Sequence, residues 1–380
     1  MAKPLRSLVR SPGRVVLCQS RRIAVISTSH HKVSRIIIGV DTHKDEHVAV
    51  AVDGLGVRLG QRNLPTTTAG YVGLEHWASS LGEIGAFGVE GTGSYGAGLS
   101  RFLRGQGHMV IEVNRPDRST RRRLGKNDPT DAEMAARAVL AGVACDQPKS
   151  GVDEAEMIRM LKGTKDSAMK ARTQAVNQMK AVVVTAPVEL RAELRHMNTS
   201  QLVARCARWN NGYPETAKSA ARYALRSLAR RHAQLSQEIE AIDAQLTRLT
   251  AKFAPELIES VGVGPDTAAA LLVTAGSNPE RLKSEAAFAA LCGVSPIPAS
   301  SGKTNRHRLN RGGDRQANAA IHRVVIVRLR YDGRTRAYLQ RRMEEGKTKT
   351  EVIRCLKRYV AREVFGILID MCKLRTVQNA

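Results

Sequence analysis

The sequence predicts an α/β plus α fold, with an α/β N-terminal part and a mostly helical remainder. Three observations predict it. Apolar, β-branched runs lie close together up to residue 63, and strand and helix patterns then alternate to residue 141. Helix-favouring Ala, Arg, Leu, Gln and Glu dominate residues 152–257. The chain has 380 residues, which is long enough for about two or three domains.

The N-terminal pattern contains three strands in a meander, and then strands that alternate with helices. The predicted elements are, in order, strands 35–41, 47–53 and 57–63, a helix over 68–81, a strand over 86–90, a helix ending near residue 104, a strand over 109–113 and a helix over 129–141. This order is that of a ribonuclease-H-like fold. In that fold the first and fourth strands lie side by side, and the last helix crosses them.

Acidic residues end the first and fourth predicted strands and begin the last helix. Asp41 ends the first strand and Glu90 the fourth, while Asp128 and Asp131 are three residues apart and therefore share a helix face. Taken singly, each is typical of a turn or a helix start. Four converging carboxylates would repel one another unless cations neutralise them. The fold therefore predicts a site for Mg²⁺ or Mn²⁺, with two ions held by oxygen ligands.

A heptad pattern runs through the second half of the helical middle. Its apolar seam consists of Leu225, Leu228, His232, Leu235, Ile239, Ile242, Leu246 and Leu249. Two arrangements bury such a seam. One is a coiled coil between two chains, and the other is a hairpin within one chain, formed with the helix predicted over 152–184.

The charge balance indicates a polyanionic partner. Sixty Lys and Arg against 35 Asp and Glu leave a formal charge of +25, and residues 301–362 are the most strongly basic region. Residues 1–34 are predicted to be a disordered basic leader. An aromatic share of 4% argues against a platform that stacks on bases. Scattered cysteines and the lack of a long apolar run favour a reduced, cytoplasmic setting.

Several short motifs resemble those of one family, the insertion sequence 110 family of transposases. Its three acidic motifs are matched by Ile38-Gly-Val-Asp-Thr-His-Lys44, Val89-Glu-Gly-Thr-Gly93 and Gly125-Lys-Asn-Asp-Pro-Thr-Asp-Ala132. Further along, the similarity includes Val261-Gly-Val-Gly264, Ala289-Ala-Leu-Cys-Gly-Val-Ser-Pro296, Ser301-Gly302 and Arg311-Gly-Gly313. It covers roughly residues 35–370, and the ordered set of motifs is specific although each one is short.

The resemblance implies a recombinase of RuvC-like DEDD type, directed by a structured noncoding bridge RNA. Donor and target DNA would be its substrates, and it would act as a homo-oligomer, a dimer assembling to a tetramer. The implied domains are RuvC-like over 35–150, helical or coiled-coil over 151–257, and a C-terminal transposase domain over 258–380.

The resemblance also implies a nucleophile in the C-terminal domain. Ser301, which precedes Gly302, would attack DNA and form a phosphoserine link. Ser300 beside it remains an alternative. The surrounding Ser-Ser-Gly-Lys stretch is also typical of an ordinary loop. The following basic residues would supply the positive charge that a hydroxyl attacking phosphate needs around its transition state.

Two groups of basic residues accompany the predicted site. One precedes the last two acids and contains Arg115, Arg118, Arg121, Arg122, Arg123 and Lys126; the other follows the serine and contains Lys303, Arg306, Arg308 and Arg311. We expect both groups to hold phosphate backbone without reading sequence. Since the sequence contains no recognised base-reading module, choice of target by RNA pairing is favoured.

Three classes of function are compatible with these patterns. The first is the recombinase, with a metal site and a serine nucleophile. The second is a metal-dependent RuvC-like nuclease or junction resolvase, which would use water as nucleophile. The third is a nucleic-acid-binding scaffold without activity, whose acids are caps and turns. A covalent protein–DNA adduct would distinguish the first from the second, and indifference to Mg²⁺ would indicate the third.

Overall fold

The computed structural model describes most of the chain apart from the N-terminal leader and a few internal stretches. The described residues are 35–113, 127–149, 151, 154–210, 212–276, 278, 282–302 and 307–378. The predicted basic leader, residues 1–34, lies outside them. Within the described ranges, no helix has the length and apolar character needed to span a membrane.

The N-terminal part is built on one five-stranded sheet. Its strands are β1 (Ile36–Thr42), β2 (Glu46–Val52), β3 (Arg58–Pro65), β4 (Ile84–Glu90) and β5 (Val110–Val113), in the spatial order β3-β2-β1-β4-β5. The meander β1–β2–β3 is antiparallel, whereas β4 runs parallel to both β1 and β5. The predicted ribonuclease-H-like α/β arrangement, with the first and fourth strands adjacent, is confirmed.

Helices cover both faces of this sheet. They are α1 (Thr68–Leu81), α2 (Ala97–Gly105) and α3 (Asp128–Leu140). Side chains alternate between the two faces of a strand, so Ile38 of β1 packs with α1 and α2, whereas Val50 of β2 packs against α3. Strand β1 is almost completely buried because it lies in the middle of the sheet between these layers.

The remainder of the described chain is almost entirely helical. Its elements are α4 (Glu154–Thr185), α5 (Val188–Leu194), α6 (Thr199–Ala207), α7 (Ala217–Phe253), α8 (Pro255–Glu259), α9 (Pro265–Ala275), α10 (Glu285–Leu291), β6 (Ile297–Pro298), β7 (His307–Arg308), α11 (Arg315–Tyr331), α12 (Gly333–Glu344) and α13 (Lys349–Gln378).

The long helices α4 and α7 pair with each other in an intramolecular hairpin. Of the two arrangements that bury the heptad seam, this one is present in the structure. Leu225 and Leu246 of the seam are fully buried, whereas Leu235 and Ile242 are only partly buried. Association of the seam with a second chain stays a prediction.

The hairpin has a separate hydrophobic core at each end. At its far end Leu225 packs with Met179 and with Leu202 of the short helix α6. At its base Leu246 joins Ile158 in a core shared with α9, α10, α11 and α13. The base of the predicted helical middle is thus packed into the predicted C-terminal domain, and the boundaries between these domains stay a prediction.

Candidate active site

The ends of β1 and β4 lie side by side and carry the same three-residue pattern, glycine, valine and an acid. In the parallel register Gly39 pairs with Gly88 and Val40 with Val89, so that Asp41 and Glu90 occupy the next positions on adjacent strands. The Thr42 hydroxyl donates a hydrogen bond of 2.9 Å to the backbone carbonyl of Glu90. This bond ties the two strand ends together.

The two glycines let α3 lie directly on these strands. A Cβ atom on Gly39 would come within 1.9 Å of the Ala132 carbonyl oxygen, and one on Gly88 within 2.7 Å of Val139 Cγ2. Because side chains two apart on a strand share a face, Asp41 and Glu90 point to the same side as the missing side chains of these glycines. That side is covered by α3.

Helix α3 brings two more acids to this edge of the sheet. It begins at Asp128, and its N-cap Asn127 makes no capping hydrogen bond with its side chain. The helix thus begins one residue before the predicted start at residue 129, and Asp128 is already helical. Asp128 and Asp131 both lie in the first turn, and Asp131 is buried.

Three of the side chains at this edge approach one another closely. His43 Nε2 lies 3.3 Å from Asp41 Oδ2 and 3.4 Å from Asp128 Oδ2. One potential ligand atom from each of Asp41, His43 and Asp128 lies within 4.8 Å of the other two. We call these three residues the Asp–His–Asp group. Asp131 and Glu90 lie outside it, although Asp131 interacts electrostatically with Asp41.

The electrostatics of Asp41 are those of a crowded carboxylate. Burial raises the pKa of Asp41, and the negative charges of Asp131 and Asp128 raise it further, while the nearby His43 and a backbone hydrogen bond from Thr42 oppose the change without reversing it. A bound cation would relieve both the desolvation and the repulsion.

The donor atoms present fit a divalent cation. Carboxylate oxygens and an imidazole nitrogen are ordinary ligands of such ions, and His43 Nε2 is a buried atom without a hydrogen bond. The metal site predicted from the sequence contains only acids and does not include His43. Its position two residues after Asp41 was the available signal, because that spacing directs both side chains to one face.

The predicted nucleophile lies on a different element. Strands β6 and β7 form a small antiparallel hairpin, and Ser300, Ser301 and Gly302 belong to the segment that connects them. Both serines are exposed, so their accessibility does not distinguish them. Gly302 has a φ of +55°, in the region that favours glycine.

The base of this hairpin is held by close backbone packing. A Cβ on Gly313 would lie 2.3 Å from the backbone nitrogen of Gly293. The Asn318 side chain donates to the carbonyls of Cys292 and Gly293, and the Asn310 side chain donates to that of Ala290. Gly313 of the Arg311-Gly-Gly313 motif thus seats the hairpin against the end of α10.

The predicted basic residues are only partly within the described chain. Arg308 on β7 and Arg311 just after it are exposed. The others, Arg115, Arg118, Arg121, Arg122, Arg123, Lys126, Lys303 and Arg306, lie outside the described residues.

Two family models match the chain, in the same order as the two sites. A DEDD transposase model of IS110 type matches residues 38–186, which contain all four predicted acids. A model described as transposase of the IS116/IS110/IS902 family matches residues 254–340, which contain Ser301 and the Gly293–Gly313 contact.

Two proteins of insertion elements are similar to the chain. The 43.6 kDa protein of insertion element IS110 from Streptomyces coelicolor is 31% identical over 147 residues, which are 38% of this chain and 36% of that protein. The 42 kDa protein of insertion element IS900 from Mycobacterium paratuberculosis is 21% identical over 381 residues, which cover 87% of this chain and 95% of that protein. With both family domains present in order, the chain belongs to the IS110 family of transposases, enzymes that cut and rejoin DNA.

Proposed function

We propose that the chain recombines the DNA of an insertion sequence with a divalent-metal site and a serine nucleophile, guided by a noncoding bridge RNA. The observation that carries this proposal is the convergence of Asp41, from the end of β1, with Asp128, the first residue of α3, while Glu90 and Asp131 lie at the same edge of the sheet. Carboxylates gathered at this density need a counter-charge, and the DNA phosphate brings none.

The four acids are assigned to the metal. Mg²⁺ or Mn²⁺, as two ions, is the choice expected from hard oxygen ligands. A bound divalent cation would neutralise charge on the scissile phosphate and make the attacking hydroxyl easier to deprotonate. The chain contributes rigid placement, because Asp41 is on a central strand and Asp131 is on a helix that packs directly on that strand.

Ser301 is assigned to the attack on DNA. Its Oγ would form a bond to phosphorus as it loses its proton, and the bond from phosphorus to the leaving deoxyribose oxygen would break as that oxygen gains a proton. The phosphoserine conserves the energy of the broken bond, so that rejoining needs no external energy source. Exposure of Ser301 and the exposed Arg308 and Arg311 nearby in the chain support this assignment.

The basic surface is assigned to binding nucleic-acid backbones. These are the backbones of donor DNA, target DNA and a guide RNA. A formal charge of +25 with only 4% aromatic residues suits phosphate contacts better than base stacking. Choice of sequence then falls to pairing with the RNA. A homo-oligomer, a dimer assembling to a tetramer, would bring the DNA ends together.

The covalent link provides the test. The protein is incubated with Mg²⁺, RNA transcribed from its own element and plasmids carrying the element's ends and target, and adducts that survive denaturation are measured. Ser301→Ala should lose the adduct while Ser300→Ala retains it. Asp41→Asn should lower its yield by about 100-fold or more, the scale of losing one electrostatic partner of a transition state. The affinity of Ser301→Ala and of Asp41→Asn for DNA should be nearly unchanged, because the basic surface supplies that affinity.

Other outcomes would change the assignment in defined ways. An adduct that persists in Ser301→Ala and disappears in Ser300→Ala would move the nucleophile by one residue. DNA cleavage at the wild-type rate and without adduct, in a variant that carries both Ser300→Ala and Ser301→Ala, would contradict the serine mechanism and favour the hydrolytic nuclease. Equal yields without RNA would contradict guidance by RNA.

A further inference from the structure

We infer that His43 is itself a metal ligand, so that the site is a mixed nitrogen–oxygen site and not one built of carboxylates alone. The inference rests on the proposed function in one respect, namely that Asp41 and Asp128 bind a divalent cation. It goes further by adding a ligand of different chemistry, which changes the ions that the site prefers.

The distances from His43 favour a shared cation over direct hydrogen bonds. A charged hydrogen bond from a ring nitrogen to a carboxylate is about 2.7–2.9 Å long. His43 Nε2 is 3.3 Å from Asp41 Oδ2 and 3.4 Å from Asp128 Oδ2, and it is a buried atom without a hydrogen bond. A buried donor that simply paired with either carboxylate would be expected to close this gap.

The same distances match the spacing of neighbouring ligands around one ion. With metal–ligand bonds of about 2.1 Å, adjacent ligand atoms are about 3.0 Å apart in an octahedron and about 3.4 Å apart in a tetrahedron. Both contacts of His43 Nε2 lie within or close to this interval. His43 Nε2 is therefore spaced from both carboxylates as a neighbouring ligand of one ion would be, and the two carboxylates supply ligand atoms within 4.8 Å of each other.

The backbone of His43 is held by a second, deeper histidine. The His43 backbone nitrogen donates to His47 Nδ1 at 3.3 Å, and His47 is completely buried at the start of β2, with its ring stacked on Tyr71 at 6.0 Å between centroids. The register pairs Thr42 with His47, so the turn between β1 and β2 is closed tightly. His47 is thus a positioning residue, because its side chain holds the backbone of the proposed ligand His43.

An imidazole ligand alters the choice of ion. Oxygen ligands alone suit Mg²⁺, Ca²⁺ and Mn²⁺, whereas imidazole suits later transition metals. We expect the site to bind Mn²⁺ and Co²⁺ in preference to Mg²⁺. In His43→Gln this preference should shrink, and Mn²⁺ affinity should fall by about tenfold or more, since even the hydrogen-bond partners of ligands cost that much when removed.

Pulsed electron paramagnetic resonance of the full chain loaded with Mn²⁺ tests the inference directly. Spin-echo modulation reports nitrogen bound to the ion, and it should be present in the wild type and absent in His43→Gln. The matched control is His76→Gln, an exposed histidine on α1, which should keep the modulation. Labelling the wild type with ¹⁵N-histidine should replace the ¹⁴N pattern, and this needs no variant to fold.

The outcomes separate the inference from the proposed function. Mn²⁺ bound without histidine nitrogen, or with nitrogen that persists in a folded His43→Gln, would overturn His43 as a ligand and leave the carboxylate site standing. Mn²⁺ binding that is unchanged in Asp41→Asn would instead contradict the metal site on which the proposed function depends.

Discussion

At the scale of single residues, the acids depend on glycines for their geometry. Gly39 and Gly88 each precede an acid by two positions, on the side of the sheet where α3 lies. A side chain at either glycine would push α3 away and take Asp128 and Asp131 with it. The glycine in each Gly-Val-acid pattern is therefore as much a part of the site as the acid.

This dependence predicts a strong effect of a single methyl group. Gly39→Ala places a Cβ 1.9 Å from the Ala132 carbonyl, so either α3 moves or the free energy of unfolding falls, by about 3 kcal/mol. Denaturant unfolding and Mn²⁺ titration would measure the two effects. The control is Gly163→Ala in α4, where the added atom meets open space and should stabilise the helix by roughly 0.5–1 kcal/mol. Wild-type stability together with wild-type Mn²⁺ affinity in Gly39→Ala would show that α3 is not seated on β1.

At the scale of elements, the β6–β7 hairpin cannot be stable by itself. Each strand is only two residues long, and isolated hairpins are marginal in water even when longer. The contact between Gly293 and Gly313 and the hydrogen bonds from Asn310 and Asn318 attach it to the helical core. Placement of Ser301 should therefore depend on the base of the hairpin.

Adjacent glycines in the Arg311-Gly-Gly313 motif allow a matched test. Gly313→Ala would put a Cβ 2.3 Å from the Gly293 backbone, whereas Gly312→Ala meets only the Asn310 side chain at 3.5 Å, an ordinary contact. We expect Gly313→Ala to abolish the DNA adduct and to lower the melting temperature, and Gly312→Ala to retain both. Similar adduct yields in the two variants would mean that the hairpin base does not position the serine.

At the scale of the whole molecule, a cluster of charges joins the helical hairpin to the C-terminal helices. Lys165 of α4 is buried, and its ammonium contacts Asp243 of α7 at 2.5 Å and Asp266 at the start of α9 at 2.7 Å. Arg323 of α11 also binds Asp266, at 2.8 Å. Four helices thus meet in one ionic junction, beside the shared hydrophobic core.

The junction has a large effect on ionisation. Burial alone would raise the pKa of Asp266, but hydrogen bonds from Lys165 and Arg323 and the charge of Lys162 outweigh it and bring that pKa well below its ordinary value. Burial alone would likewise lower the pKa of Lys165, and its bonds to Asp243 and Asp266 raise it instead. Both shifts favour the charged, paired state in the folded protein.

The shift at Asp266 predicts a stability that declines in acid. Because its pKa is lower in the folded chain, the unfolded chain binds more protons below about pH 4, and the contribution present above that pH is lost as the pH falls. Unfolding free energies between about pH 2 and 5 should show this slope, and Asp266→Asn should reduce it. Lys165→Met should lower the unfolding free energy at neutral pH by about 2 kcal/mol, since it removes the charged contacts of Lys165 with Asp243 and Asp266, although Arg323 still binds Asp266. An unchanged slope in Asp266→Asn would contradict the role of the junction.

The sequence by itself determined the order of the strands, the α/β class and the positions of the four acids at strand ends and a helix start. These depend on local periodicity and on short motifs, which are complete within a few residues of the chain. It also determined the heptad seam, because apolar spacing shows which face of a helix is buried.

Only the tertiary structure decided which partners those faces and side chains meet. Periodicity does not identify the partner of the seam, and the pairing of α4 with α7 depends on contacts between residues far apart in the chain. The approach of His43 to both Asp41 and Asp128 is likewise decided by the close packing of α3 on Gly39, across almost ninety residues of sequence. Ligand geometry is set to fractions of an ångström by such packing, and spacing along the chain does not carry that information.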